Sequence, residues 1–400
     1  MKRIPRQNYL NKLIAFKDKK VIKVITGIRR CGKSTLMEIY RDWLKDHGID
    51  EGQVIYVNFE DFDYYDLREP RKLYDYVKQQ LRKNAMNYLF FDEIQHVHDF
   101  PDVINSLNLK ANTDIYLTGS NAYMLSTEIA TLLSGRYVEI PMLPLSFKEY
   151  VIGTGNDTNL QQTYSEYITK GSFPYTLELD TQAEINDYLN GVYNTIVVKD
   201  IMARKKIQDV TMLESIIRFA ADNIGNILST KRVANIMTAD GRKIDPKTVE
   251  RYLSALCETF FLYEAKRYNI KGNQLLKTLS KYYLVDMGLR RLLLGSRSFD
   301  TGRILENEIY LELLHRKKKV YVGKMDNLEV DFVAIDQDGI TYYQVAATVR
   351  DENTLKRELL PLQQINDQYP KYLLTLDEDP IADYNGIKRI NALKWMMGKV

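Results

Sequence analysis

The stretch that most constrains this chain is GIRRCGKS, residues 27–34, set between VIKVIT (21–26) and TLMEIYRDWL (35–44). The first flank is a β-branched run of strand character. From Lys33 onward Leu36, Tyr40, Trp43 and Leu44 recur at helical spacing. The loop between them matches GxxxxGK[ST] at every fixed position, in the strand–loop–helix setting that the motif requires. Gly27 and Gly32 let the backbone turn so that the N–H groups of Ile28, Arg29, Arg30 and Cys31 converge on an oxyanion, and the helix N-terminus adds its partial positive charge. Lys33 is then placed to neutralise β- and γ-phosphate oxygens and Ser34 to ligate Mg²⁺, with Thr35 completing the ATP contacts. The Cys31 thiol has no role in this scheme, because the loop meets phosphate through its backbone.

Two further strands end in chemistry. NYLFFDEIQ (87–95) is apolar up to Asp92, suited to a Mg²⁺ water ligand, and Glu93, suited to the base that polarises an attacking water. DIYLTGS (114–120) ends at Ser120 and Asn121, where a polar side chain reads a γ-phosphate or holds the lytic water. With VIYVNFED (54–61) as another strand, these ends predict an α/β fold with a parallel sheet and ligands at its carboxyl edge.

The order of these motifs resembles the AAA+ side of the P-loop ATPases that use a catalytic glutamate. The resemblance implies a sensor strand inserted between the P-loop strand and the strand bearing Asp92. It also implies a catalytic set of Lys33, Glu93, Asn121 and Arg136. Arg136, in LLSGRYVEIPMLPLSF, corresponds to an arginine that completes the site in cis or from a neighbouring subunit, where its fork matches phosphoryl oxygens.

A length of 400 residues suggests roughly two to four domains. No apolar run reaches the ~18 residues of a membrane span, and MKRIPRQNYLNKL lacks the apolar core of a secretion signal. A cytoplasmic protein without a membrane partner is expected. Cys31 and Cys257 lie far apart without CxxC spacing, which argues against a disulfide framework or a cysteine zinc site.

Residues 143–210 read as a helical connector. After Asp209 comes an amphipathic helix, then STKRVANIM with Ser229 as N-cap, and DPKTVERYLSALCETF with Asp245 as N-cap and Pro246 at the first helical position. A hairpin follows, LYEAKRYNIKGNQLLKTLSKYYLVD, with Asn269 to Asn273 at its tip. Two short helices and a hairpin read as a winged helix-turn-helix. Lys247, Thr248 and Arg251 would face the major groove of double-stranded DNA, and Lys231, Arg232, Lys271 and Lys277 would meet phosphates. From Ser229 to Lys281 there are eleven Lys or Arg against five Asp or Glu, a balance of +6 in a chain whose net charge is +3. That asymmetry fits an electrostatic footprint for nucleic acid. A winged helix also serves protein contacts, which leaves a protein partner as the alternative.

The last hundred residues resemble the PD-(D/E)xK nuclease fold. Glu306 on a helix and Asp331 on a strand stand at the acidic positions, and Gln344-Val345-Ala346 stands where active members have E-x-K. Gln344 lacks the negative charge a hard cation wants, and Ala346 cannot supply a cationic group. A scaffold without cleavage is expected, with Glu306 capping its helix and Asp331 paired locally. The whole chain resembles the prokaryotic AAA+-like ATPases whose C-terminal half is a domain of unknown function related to the nuclease fold, carried by GIRRCGKSTL, FFDEIQ, LTGSNAYMLS, LLSGRYVEIPMLPLSFKEY, KYYLVDMGLR and EVDFV. The expected division is 1–142 P-loop ATPase, 143–210 connector, 211–295 winged helix and 296–400 degenerate nuclease-like domain. The resemblance implies ATP and Mg²⁺ as cofactors and a capacity for homo-oligomers. The expected activity is ATP hydrolysis coupled to DNA engagement. The alternative is a slow ATP-dependent switch that holds a protein.

Overall fold

The computed structural model describes residues 3–119, 133, 135–202, 207, 209–276, 279–295 and 300–400. Ser120 and Asn121, and Lys277 farther on, lie outside the described residues. The chain forms two compact units, residues 1–144 with 258–260, and residues 145–257 with 261–400.

In the first unit the β-branched and aromatic runs become β1 (Ile22–Thr26), β2 (Val54–Asn58), β3 (Asn87–Asp92), β4 (Thr113–Gly119) and β5 (Tyr137–Pro141). They lie side by side in the order β2-β3-β4-β1-β5, and every pairing is parallel. The strand leading to Asn121 therefore sits between the P-loop strand and the Asp92 strand, as the resemblance implied. β1, β3 and β4 are buried along their whole length, the condition of parallel strands covered on both faces. The covering helices are α1 (Gln7–Ala15), α2 (Lys33–Asp46), α3 (Pro70–Gln80) and α4 (Phe100–Asn108). Leu73 and Val77 of α3 and Ile104 and Leu107 of α4 pack with Val24, Leu89, Ile115 and Leu117. Elsewhere Tyr40 of α2 meets Tyr116 of β4, their hydroxyls 2.9 Å apart. Because all five strands run the same way, Thr26, Asn58, Asp92 and Gly119 finish at one edge of the sheet.

The second unit opens with helices over Phe147–Thr154, Leu160–Lys170 and Gln182–Asn194. Ser146 and Thr181 each start one of these with a reciprocal box to a glutamate three residues on. Farther on, Ser229 accepts from the Arg232 N–H at 3.4 Å and Asp245 from the Thr248 N–H at 3.0 Å, starting helices Thr230–Ala239 and Pro246–Glu258. The strands are β6 (Ile227–Leu228), β7 (Leu262–Ala265), β8 (Arg267–Asn269), β9 (Gln274–Leu275), β10 (Ser280–Leu284), β11 (Lys319–Met325), β12 (Leu328–Asp336), β13 (Gly339–Ala346), β14 (Lys371–Thr375), β15 (Ala382–Tyr384) and β16 (Ile387–Asn391). β6-β10-β7 is a small antiparallel sheet. The outer part of the hairpin keeps its turn at Asn269–Asn273, with Tyr268 opposite Leu275 and Asn269 opposite Gln274, and β8 and β9 join an eight-stranded sheet ordered β15-β16-β14-β13-β12-β11-β8-β9 through parallel pairing of Arg267–Asn269 with Val322–Lys324. Gly323 makes this join possible, since a Cβ there would stand 2.9 Å from Val330 and Val333 and 3.0 Å from Ile270. Tyr268 of β8 stacks on Tyr321 of β11 with centroids 5.9 Å apart.

Among the described residues no helix is long and apolar enough to cross a membrane. Among the described residues there is no disulfide: Cys31 is buried and Cys257 half-buried.

Candidate functional site

The loop after β1 is shaped by two glycines. Gly27 has φ +148°, and a Cβ on it would come within 2.1 Å of the Met142 carbonyl oxygen, so no other residue fits. Gly32, at φ +103°, is the N-cap of α2. The Lys33 ammonium is 4% exposed and donates to the carbonyl oxygens of Gly27 at 3.1 Å and Ile28 at 3.2 Å, with Glu93 Oε1 3.7 Å away. Behind the loop, buried Arg6 donates to the carbonyls of Cys31 (3.0 Å), Leu143 (2.6 Å) and Pro144 (3.1 Å), tying the loop to the segment that follows β5. Ile28 and Cys31 are buried, and burial pushes the Cys31 thiol up, which leaves it inert as a nucleophile. Ser34 and Thr35 are half-buried, and Arg30 is exposed at φ +66°. Arg29 is anchored 3.5 Å from Glu60.

At the same edge the two acids of β3 are held by a neighbouring strand. Thr118 of β4 donates its hydroxyl hydrogen to Asp92 Oδ1 and accepts from the Glu93 N–H at 2.8 Å. Tyr56 of β2 donates to Asp92 Oδ2 at 3.0 Å, and burial together with that carboxylate pushes the phenol up. Glu93 leaves the strand at φ +52° and accepts from the Gln95 amide. Burial, with Arg68 nearby, holds the His96 imidazole below its usual range. Each carboxylate oxygen retains acceptor capacity beyond these bonds. A loop that only glycine can form, a buried ammonium beside it, a hydroxyl at the helix start and a fixed carboxylate fit a Mg²⁺-bound nucleoside triphosphate.

Arg136 lies elsewhere. It is exposed and precedes β5, its carbonyl accepting from the Ile22 N–H at 2.8 Å. Ile22 begins β1, so Arg136 stands at the amino edge, about 16 Å from the loop at roughly 3.3 Å per strand residue. This parallel register argues against the cis role.

Lys231, Arg232, Lys247 and Arg251 are exposed, and Lys247 and Arg251 share a helix face by their i, i+4 spacing. Thr248 is committed to the cap, its hydroxyl donating to Asp245 at 2.7 Å. Lys271 is exposed and pairs with Asp326 at 2.5 Å. Lys281, counted above in the basic balance, is buried and therefore adds nothing to a surface footprint.

Glu306 does not cap its helix. That helix, Thr301–His315, is capped by Asp300, while Glu306 accepts from Tyr283 at 2.7 Å and Lys281 at 3.0 Å. Asp331 accepts from the Val345 N–H at 2.9 Å, and Gln344 donates to Glu358 at 2.9 Å. Ala346 is buried and packs with Tyr342 and Leu373. Among the described residues no group of three or more His, Cys, Asp or Glu is set to hold a metal ion.

Sequence reasoning passed over Arg6, Tyr56, Gln95 and Thr118. Thr118 and Tyr56 carried a usable signal: each is a polar side chain in an otherwise apolar strand that parallel pairing brings beside β3. Arg6 had none, because its acceptors lie 25 to 138 residues away.

Residues 19–151 match the model of an AAA domain, and residues 161–300 match a domain of unknown function (DUF8612). An uncharacterized protein of Haemophilus influenzae is 39% identical over 98% of both chains. An uncharacterized protein of Methanocaldococcus jannaschii is 30% identical over 79% of this chain and 73% of its own. Among solved structures, the Walker-type ATPase of Pyrococcus abyssi aligns with 72% of this chain and 95% of its own, at 15% identity and a TM-score of 0.48. The chain belongs to the family of AAA-domain proteins that includes these bacterial and archaeal relatives.

Proposed function

We propose that this protein is a Mg²⁺-dependent ATPase whose second unit engages double-stranded DNA. The observation that carries the ATPase reading is the convergence of Lys33, Asp92, Glu93 and Thr118 at one sheet edge beside a glycine-restricted loop. Lys33 would neutralise β- and γ-phosphate oxygens, while Ser34 and Asp92 would hold Mg²⁺, directly and through water. The ion supplies charge neutralisation on the transferring phosphoryl group. Glu93 takes a proton from the attacking water, aimed by the Thr118 bond to its N–H and by Gln95 on its carboxylate. Asn121 remains the proposed γ-phosphate reader. Arg136 would act in trans, on a phosphoryl group held by another copy, which makes the active species a homo-oligomer. Mixing Arg136→Ala with Lys33→Ala protein should recover turnover that neither variant has alone; no recovery removes Arg136 from the mechanism.

The second unit is read as connector, winged helix and nuclease-like end, with Lys247 and Arg251 toward the major groove and Lys231 and Arg232 toward phosphates. Gln344 and Ala346 support a nuclease-like end that does not cleave. The deciding experiment is steady-state ATP hydrolysis with Mg²⁺, with and without duplex DNA at low salt, because phosphate contacts weaken steeply as salt rises. The expected result is stimulation by duplex that a Lys247/Arg251 double alanine variant loses, with Lys33→Ala inactive throughout. Turnover indifferent to DNA supports the second reading, a slow switch that holds a protein partner. The burial of Lys281 and the pairing of Lys271 favour that reading, since both reduce the free basic surface.

A further inference from the structure

The second unit buries a cation among acids. Lys281 of β10 is 3% exposed, and its Nζ stands 2.8 Å from Glu329 Oε1, 3.0 Å from Glu306 Oε1 and 3.7 Å from Asp331 Oδ1. An ammonium carries three donors, and three carboxylates from two other elements, the Thr301–His315 helix and β12, face it. We infer that Glu306, Glu329 and Asp331 form a cation site whose resident cation is the chain's own Lys281 ammonium, which excludes a divalent ion while it is seated.

The surrounding bonds fit a monovalent occupant. Tyr283 donates to the same Glu306 oxygen that faces Lys281, at 2.7 Å, and the Val345 N–H donates to Asp331 Oδ2 at 2.9 Å. Burial pushes the Asp331 carboxyl up, with Glu306 adding to the shift and Lys281 opposing it. Asp331 therefore resists carrying its charge beside Glu306. Gln344, where the nuclease resemblance would have an acid, contributes no charge; its amide is taken up by the Asp331 N–H at 3.3 Å and by Glu358 at 2.9 Å. Divalent ions of this class take hard oxygens at about 2.0–2.6 Å. Lys281 already presents a positive head to all three acids, and a dication brought to the same oxygens would meet it at close range without added negative charge. The metal that the nuclease resemblance implies thus does not fit the residues present. Of the three acids, Glu329 also lines a groove of about 410 Å³ with Asn223, Asn226, Ser229 and Arg232.

The inference uses side chains of the second unit alone and goes beyond the ATPase reading, which Lys33→Ala turnover tests separately. The probes are Mn²⁺ and methylammonium, added to nucleotide-free full-length protein and read by thermal midpoint and by calorimetric titration. Any Mn²⁺ taken by the first unit is common to all samples and cancels between variants. Wild type should give the same Mn²⁺ isotherm as Glu306→Gln. Lys281→Ala should have a lowered midpoint that methylammonium or Mn²⁺ partly restores, and Lys281→Ala/Glu306→Gln should lose that response. A folded Lys281→Ala that responds to neither cation overturns the inference. So does a wild-type Mn²⁺ site that Glu306→Gln abolishes, a comparison that needs no Lys281 variant to fold.

Discussion

Lys33 and Lys281 are both buried beside acids, yet their company differs in kind. Lys33 donates to two neutral carbonyl oxygens, with one carboxylate 3.7 Å off. Lys281 has two carboxylates at hydrogen-bond distance and a third at 3.7 Å. The first ammonium keeps most of its charge for an anion from outside. The second is neutralised by its own chain. Residue type therefore does not distinguish a binding lysine from a structural one; the source of the counter-charge does.

The strongest way to break this contrast is to remove the self-neutralised lysine. Lys281→Met leaves three acids facing an apolar stem, and breaking a buried pair from one side costs about 3–5 kcal/mol. Chemical denaturation should register that loss in the unfolding of the second unit. A cost near zero would mean that the acids simply take up protons, and the contrast with Lys33 would lose its energetic basis.

The next largest effect belongs to the first unit. Glu93→Gln keeps the shape beside Lys33 but removes the proton acceptor, and turnover should fall about 10²-fold or more with nucleotide binding retained. Single-turnover hydrolysis together with a binding titration separates the two. Normal turnover would show that Glu93 serves Lys33 only as a counter-charge.

A third prediction asks whether burial without a cation behaves differently from burial with one. Glu308, on the same helix as Glu306, faces no cationic partner among the described residues; burial pushes its carboxyl up to about 8, while a bond from Tyr167 pulls the other way. The unfolded chain ionises near 4.5, so between that value and about 8 the native state holds a proton that the unfolded state has lost. The stability this provides is fully present below the unfolded value and is lost as pH rises through the folded one. The slope is at most about 1.4 kcal/mol per pH unit. The second unit should thus be more stable at mildly acidic than at mildly alkaline pH, and Glu308→Gln should flatten the dependence. An unchanged slope in that variant assigns the effect to another acid, such as Glu312.

The smallest effect sharpens the description of the nucleotide site. Thr118→Val is nearly isosteric but leaves the Glu93 N–H and Asp92 without their shared hydroxyl, at a cost of about 1–3 kcal/mol. Stability should fall by that amount, and turnover should fall with binding little altered. If only stability changes, Thr118 supports the strand and does not orient the acids.

Much of the first unit was legible because its signals are local. GIRRCGKS carries its own glycines, lysine and hydroxyl, and each strand ending at Asp92 or Gly119 is a contiguous apolar run. Parallel pairing then left few ways to bring those ends together. The second unit was legible as elements but less so as an assembly: the caps at Ser229 and Asp245 follow from residues three positions apart. That the β8–β9 hairpin also pairs through β8 with β11 depends on Gly323, 54 residues beyond Asn269.

By itself the sequence determined the P-loop, the acids of β3, the helix starts and the loss of charge at Gln344 and Ala346, because each follows from covalent neighbours or from the chemistry of one residue. Only the tertiary structure decided that Arg136 stands at the far edge of its own sheet, that Thr118 joins Asp92 to Glu93, and that Lys281 is an internal counter-ion rather than part of a basic surface. These depend on which strand lies beside which and on what a side chain meets once buried, and a charge in a sequence carries no record of its partner.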